Sequence, residues 1–130
     1  MWVLDTNTLI YFFKGEGDVA LKLLTKSPQD IGIPAIVLFE LEVGIAKSSS
    51  PKKRRQQLAE LVSIVKVLPF GGKEAKAAAA VRVQLENAGS PIGPHDTLIA
   101  GTTLANGSIL VTRNTREFGR VAGLQLENWF

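Results

Sequence analysis

The residues best suited to chemistry in this chain of 130 residues are acids far apart along it: Asp5, Glu40 or Glu42, and Asp96, with a polar cluster from Thr112 to Glu117. Each sits where an element is expected to begin or end. Asp5 follows Met1-Trp2-Val3-Leu4, a run too short for a helix and apolar on both faces, as in the centre of a parallel sheet. Ligands collect outside the carboxyl ends of such strands. Asp96 opens a predicted helix after a Gly93-Pro94 corner, and the polar cluster follows another apolar run, Ile109 to Val111. A parallel sheet would bring these ends together. Carboxylates crowded into one pocket repel, so their joint presence implies a cation of matching charge. Oxygen ligands suit Mg²⁺ or Mn²⁺, which would activate water and steady the charge on a phosphate during displacement. Acids amid basic surroundings thus suggest phosphodiester hydrolysis. The plainer reading of the same residues is that Asp5 and Asp96 are unrelated N-caps and that Glu40 is a satisfied buried acid.

The glutamates lie in Pro34 to Ala46, which has Pro at a permitted first-turn position and is apolar almost all round, so this predicted helix is expected to be buried. A buried carboxylate needs a charged, hydrogen-bonded or metal partner. Helical geometry surrounds Glu40 with Ile36, Val37, Val43 and Gly44, and Glu42 with Leu38, Phe39, Ile45 and Ala46. Periodicity leaves the choice between them open.

The elements that must position these acids alternate. Helices are predicted over Thr6 to Lys14, Asp18 to Lys26 with Leu21 and Leu24 on one side, and from Pro51 through Leu58, Leu61, Val62 and Val65. Two more follow, the Ala-rich Lys73 to Ala88, capped by Gly89, and Thr97 to Ala105. The alanines Ala77 to Ala80 mark close packing. Further strands are predicted at Ile31 to Ile33, Lys66 to Phe70, Ile109 to Thr112 and, on an edge, Leu124 to Glu127. The pattern predicts one α/β domain over 1–130 with a mostly parallel sheet.

Composition narrows the function classes. A hydrophobic content of 45% excludes a disordered chain. There is no cysteine and only one histidine, which disfavours a zinc site and a thiol nucleophile and fits a reducing cytosol. No apolar stretch reaches a membrane span, and the chain starts without a basic leader, so a soluble cytoplasmic protein is expected. The formal net charge is +3, and Lys47 to Arg55 gathers five of the fifteen basic residues, with Arg113, Arg116 and Arg120 forming a second group. These groups permit a polyanionic partner, although either can be an ordinary solvated surface.

Four segments, V-L-D-T-N at 3 to 7, F-E-L-E-V-G at 39 to 44, S-P-I-G-P-H-D-T-L-I-A-G at 90 to 101 and L-V-T-R-N-T-R-E-F at 110 to 118, resemble in order and spacing the PIN-domain ribonucleases of VapC type. The closing G-L-Q-L-E-N-W at 123 to 129 is similar to the family's terminal strand. The resemblance implies a three-layer α/β/α fold and a divalent-metal-dependent endoribonuclease, the toxin of a type II toxin–antitoxin pair. It places the family's metal-binding and catalytic acids on Asp5, Glu40 and Asp96, and prefers Glu40 because the family's acid lies four positions before a glycine, here Gly44. Many relatives carry a fourth acid where this chain has Asn114, or three places later where it has Glu117, so Glu117 takes the supporting catalytic role. Asn7 and Thr112 would orient the carboxylates or their water. Arg113, Arg116, Asn114 and the 47 to 55 segment would face RNA, and His95 would shape the pocket rim or touch RNA. The S-P-I-G-P-H-D corner is similar to that of the branch that cuts initiator tRNA in its anticodon loop. An antitoxin (VapB-like) inserted along the helices at 6 to 14 and 34 to 46, and a homodimer or higher toxin–antitoxin assembly, are further implications.

Other classes fit less well. A response-regulator receiver would want an acidic pair after the first strand, an Asp after Val67-Leu68 and a Lys after the fourth strand. A haloacid-dehalogenase-type phosphatase would want D-x-D, where Asn7 replaces the second acid. A PIN domain that binds RNA or protein without cutting draws support from Asn114. Metal-dependent cleavage lost in Asp5→Asn distinguishes enzyme from binder.

Overall fold

The computed structural model describes residues 1–130. Five short strands, β1 (Trp2–Leu4), β2 (Ile31–Pro34), β3 (Lys66–Leu68), β4 (Ile109–Val111) and β5 (Gln125–Glu127), form one sheet in the order β3-β2-β1-β4-β5. Every pairing is parallel. The chain steps outward from β1 to β3, then crosses back to β4 and β5, so the order reverses between β1 and β4. A crevice opens outside the carboxyl ends of strands at such a reversal.

The helices are α1 (Thr6–Lys14), α2 (Val19–Leu24), α3 (Ala35–Ala46), α4 (Pro51–Val62), α5 (Gly72–Asn87), α6 (Pro94–Ala105) and the single turn α7 (Thr115–Phe118). Right-handed crossovers put α1 to α4 on one face of the sheet and α5 and α6 on the other, giving three layers. The central strands are apolar on both faces because both are covered: Val3, Leu4, Ile33, Leu110 and Val111 are wholly buried. Close helix packing is explicit where α5 meets α6. A Cβ at Gly101 would lie 2.5 Å from the backbone and Cβ of Ala78, so only glycine fits. The expectation that the alanine run marks tight packing is met at Ala78.

Several boundaries and faces differ from the sequence reading. Helix α3 is half-covered rather than enclosed: Val37, Leu41 and Ile45 are buried, whereas Phe39 and Val43 are exposed. A helix apolar all round carries no phase, so its buried stripe is set by its neighbours α1, α4 and α6. Helix α2 ends at Leu24, short of the predicted Lys26; Val19 and Leu23 are buried, and Leu21 and Leu24 face outward together. A 3₁₀ turn at Pro28–Asp30 leads into β2. Asp96 is not an N-cap: α6 starts at Pro94, where proline's fixed φ suits the first turn, and Asp96 falls inside that turn. Strand β3 ends at Leu68, short of Phe70, and α4 ends at Val62, short of Val65. The 115–118 turn α7 had been read only as a polar cluster.

Candidate active site

Asp5 leaves the end of β1 and its amide donates to Val111 O on β4 at 3.2 Å, fixing it at the point where the strand order reverses. Its Oδ1 accepts the Thr8 N–H at 2.9 Å, so it does cap α1. The cap and the site are the same carboxylate, and it is only 5% exposed. Burial pushes its pKa up, hydrogen bonds from Thr112 and Thr8 pull it down, and the charge of Glu40 pushes it up again. Thr8 also donates its hydroxyl to Val111 O at 3.1 Å, tying α1 to β4.

Glu40 points inward from α3 and is held at both oxygens. The Thr6 hydroxyl donates to Oε1 at 2.7 Å, and His95 Nδ1, from α6, donates to Oε2 at 3.2 Å. Glu42 turns outward, its side chain 53% exposed and 4.0 Å from the Arg55 guanidinium. The two glutamates are thus separated, Glu40 bonded to α1 and α6 and Glu42 facing solvent.

Asp96 is pushed up to about 6, by burial first and then by the charges of Asp5, Glu40 and Glu117, with His95 opposing. Four carboxylates from four separate segments therefore share one electrostatic field. Glu117 stands on α7, where the Asn114 side-chain amide donates to its Oε2 at 3.2 Å. Asn114 supplies no charge but orients the acid that does. The Asn114 N–H in turn donates to Thr112 Oγ1 at 3.0 Å, closing a turn after β4 that fixes the fully buried Thr112 beside Asp5.

The remaining predicted residues are placed less centrally. Asn7 is exposed in the first turn of α1. Arg113 is exposed but committed, its guanidinium 3.6 Å above the Phe130 ring centre and 5.7 Å from that of Tyr11. Arg120 donates to Pro91 O at 3.3 Å, and Arg54 to Phe13 O at 3.1 Å. Arg116 is exposed on α7. Thr6 was missed as a site residue. Its position beside Asp5 at the helix start hid a hydroxyl that reaches across to α3.

The donor set fits a hard divalent cation, because every group offered is a carboxylate, amide or hydroxyl oxygen and the acids repel one another without a counter-charge. The acids are not closed into a three-ligand cage. Magnesium suits so open an arrangement, since it keeps several waters and takes one or two carboxylates. Beside Glu40 lies a groove of about 270 Å³ lined by Ile10, Phe13, Lys14, Leu41, Gly44, Ile45, Ser48 and Arg54. The largest cavity, about 560 Å³, is elsewhere, an apolar cleft between α5 and α6.

A profile of the PIN domain family matches residues 2–124. The chain is 34% identical to the tRNA(fMet)-specific endonuclease VapC of Shigella flexneri over 128 residues, 98% of this chain and 97% of that protein. It is 36% identical to Ribonuclease VapC2 of Rickettsia felis over 132 residues, 99% of this chain and 98% of the relative. Among solved structures, DNA-bound VapBC from Salmonella typhimurium superposes with a TM-score of 0.92 at 32% identity, covering 99% of this chain and 98% of that one.

Proposed function

This chain belongs to the PIN domain family and to its VapC ribonucleases, and we propose that it is the magnesium-dependent endoribonuclease toxin of a type II toxin–antitoxin pair. The observation that carries this reading is the field of four carboxylates, Asp5, Glu40, Asp96 and Glu117, where the strand order reverses. Asp5, Glu40 and Asp96 would hold the metal, and a divalent cation bound there would supply an activated water and offset charge on the phosphate. The protein's own part is orientation. Thr6 and His95 fix both oxygens of Glu40, Thr112 and Thr8 fix Asp5, and Asn114 fixes Glu117. Asn7, exposed in the first turn of α1 two residues beyond Asp5, would orient the carboxylates or their water. The products carry 5′-phosphate and 3′-hydroxyl ends.

Exposed Lys47, Lys52, Lys53 and Arg116 are the cations available to RNA phosphates. Arg113, stacked on Phe130 and exposed, keeps the in-plane N–H groups of its guanidinium for an RNA phosphate. The relative from Shigella flexneri is named for tRNA(fMet), and together with the corner at 90–96 this makes the initiator tRNA the substrate we propose. The groove beside Glu40 is where the cognate antitoxin would lie, its apolar walls ending at the acids. Exposed Leu21, Leu24 and Ile64 offer faces for a homodimer. Residues 1–130 act as a single PIN domain. No helix is long and apolar enough to cross a membrane, and the site of action we propose is the cytoplasm.

Purified protein incubated with total RNA and magnesium tests the reading. Cleavage should appear with the metal and vanish with EDTA or in Asp5→Asn. If Asp5→Asn cuts as well as the parent, the metal site is wrong; if a different RNA is cut while tRNA stays whole, only the substrate is wrong.

A further inference from the structure

Two acids of the site are each preceded by an aromatic ring: Phe39 stands before Glu40 on α3, and His95 before Asp96 on α6. The two rings meet edge to face, their centres 5.7 Å apart and their planes at 89°. Phe39 is 53% exposed, an unusual position for a large apolar ring, and the His95 side chain is 46% exposed. The pair is held in place. His95 Nδ1 is anchored on Glu40 Oε2, and the Phe39 backbone is locked within α3. The rings therefore form an aromatic lip beside the carboxylates.

We propose that Phe39, backed by His95, is a stacking platform for an unpaired RNA base within two nucleotides of the bond that is cut. The inference rests on the nuclease reading and adds the form of RNA that the site accepts. A phosphodiester lying over the acids places its neighbouring bases at the lip, and a base within a duplex offers no free face there. RNA recognised in loops is read by splayed bases stacked on aromatic side chains. Stacking is tolerant of base identity because every base has a π face. The lip thus selects unstacked over paired RNA. Continuity with the acid site is what favours RNA over protein as the occupant: the ring pair adjoins Glu40 through His95, so a strand whose phosphate lies at the carboxylates carries its neighbouring base past the lip.

The test pairs a protein change with an RNA change. Wild type, Phe39→Ala and Phe39→Tyr are assayed on a short RNA that the wild type cuts, and on the same RNA made abasic at each nucleotide within two of the cut in turn. Phe39→Ala should raise KM about tenfold on the intact RNA and have little further effect on one of the abasic RNAs, and Phe39→Tyr should restore the wild-type value. Equal losses on intact and abasic RNA, or no loss on the intact RNA, overturn the stacking platform while leaving the nuclease reading in place. So does a Phe39→Ala protein whose only change is a lower oligomeric mass, since a second protein would then cover the lip. Absence of any metal-dependent cleavage by wild type overturns both.

Discussion

Glu40 owes its position to hydrogen bonds from two other elements, Thr6 on α1 and His95 on α6. Removing one anchor leaves the other, so Thr6→Val should lower kcat by about tenfold, the loss of one net hydrogen bond of about 1–1.5 kcal/mol. A loss of a thousandfold would show that Thr6 acts on the substrate itself. His95→Gln keeps a donor for Glu40 and should stay within about tenfold of wild type, well short of the 10²–10⁴ lost with a general base; a larger fall with metal binding intact would make His95 a proton carrier. Asp96 makes a pH prediction. Its pKa rises from an ordinary 3.8 to about 6 in the folded chain. Between those values the folded protein binds the proton more tightly than the unfolded one, so stability falls as pH rises and the contribution is lost above about 6. In EDTA, the Tm difference between about pH 5 and about pH 7 should favour the lower pH more in wild type than in Asp96→Asn. Magnesium should shrink that difference, and identical profiles for the two proteins would contradict the assignment. The place of Asp5 at a strand end was legible because four apolar residues precede it, but its spacing fitted an N-cap as well, and it is one. The choice between Glu40 and Glu42 was not, since both sit among apolar neighbours on their helix and only α1 and α6 distinguish them.

At the scale of elements, α5 and α6 are joined at a crossing where Gly101 touches Ala78 at its backbone. Gly101→Ala should destabilise the fold by about 1–3 kcal/mol through overpacking, read as a lower denaturation midpoint with an unchanged m value. A neutral effect would mean the helices slide apart freely. The turn between β4 and α7 depends on a different device, the Arg113–Phe130 stack, reinforced by the Asp18 N–H donating to Phe130 O at 2.8 Å. Phe130→Ala should speed amide hydrogen exchange over 112–117 and lower cleavage, and Phe130→Tyr should retain both; unchanged exchange would make the stack ornamental. The amphipathic helix α4 was legible from Leu58 and Leu61, where polar residues mark the far face. Leu21 and Leu24 do share one side of α2, but a six-residue helix gives too little periodicity to tell whether that side is covered. The stack of Arg113 on Phe130 was not legible, because the aromatic partner lies well beyond local spacing.

For the whole molecule, the parallel sheet and its reversal between β1 and β4 explain why acids from residues 5, 40, 96 and 117 meet. That much followed from alternating apolar runs and helices, whereas which faces remain uncovered depended on packing that no local pattern encodes. Binding of RNA by the exposed Lys47, Lys52, Lys53 and Arg116 should weaken steeply with salt, KM rising with ionic strength while kcat changes little; a salt-independent KM would place recognition in the aromatic lip and grooves alone. The first and last strands are also linked through their side chains. The indole N–H groups of Trp2 and Trp129 donate to the two oxygens of Glu127 at 3.1 and 3.0 Å, and the Lys26 ammonium lies over both rings. These are the chain's two tryptophans. Its intrinsic emission is therefore a built-in gauge of whether the two ends of the polypeptide remain joined, red-shifted as soon as the closing strand peels away.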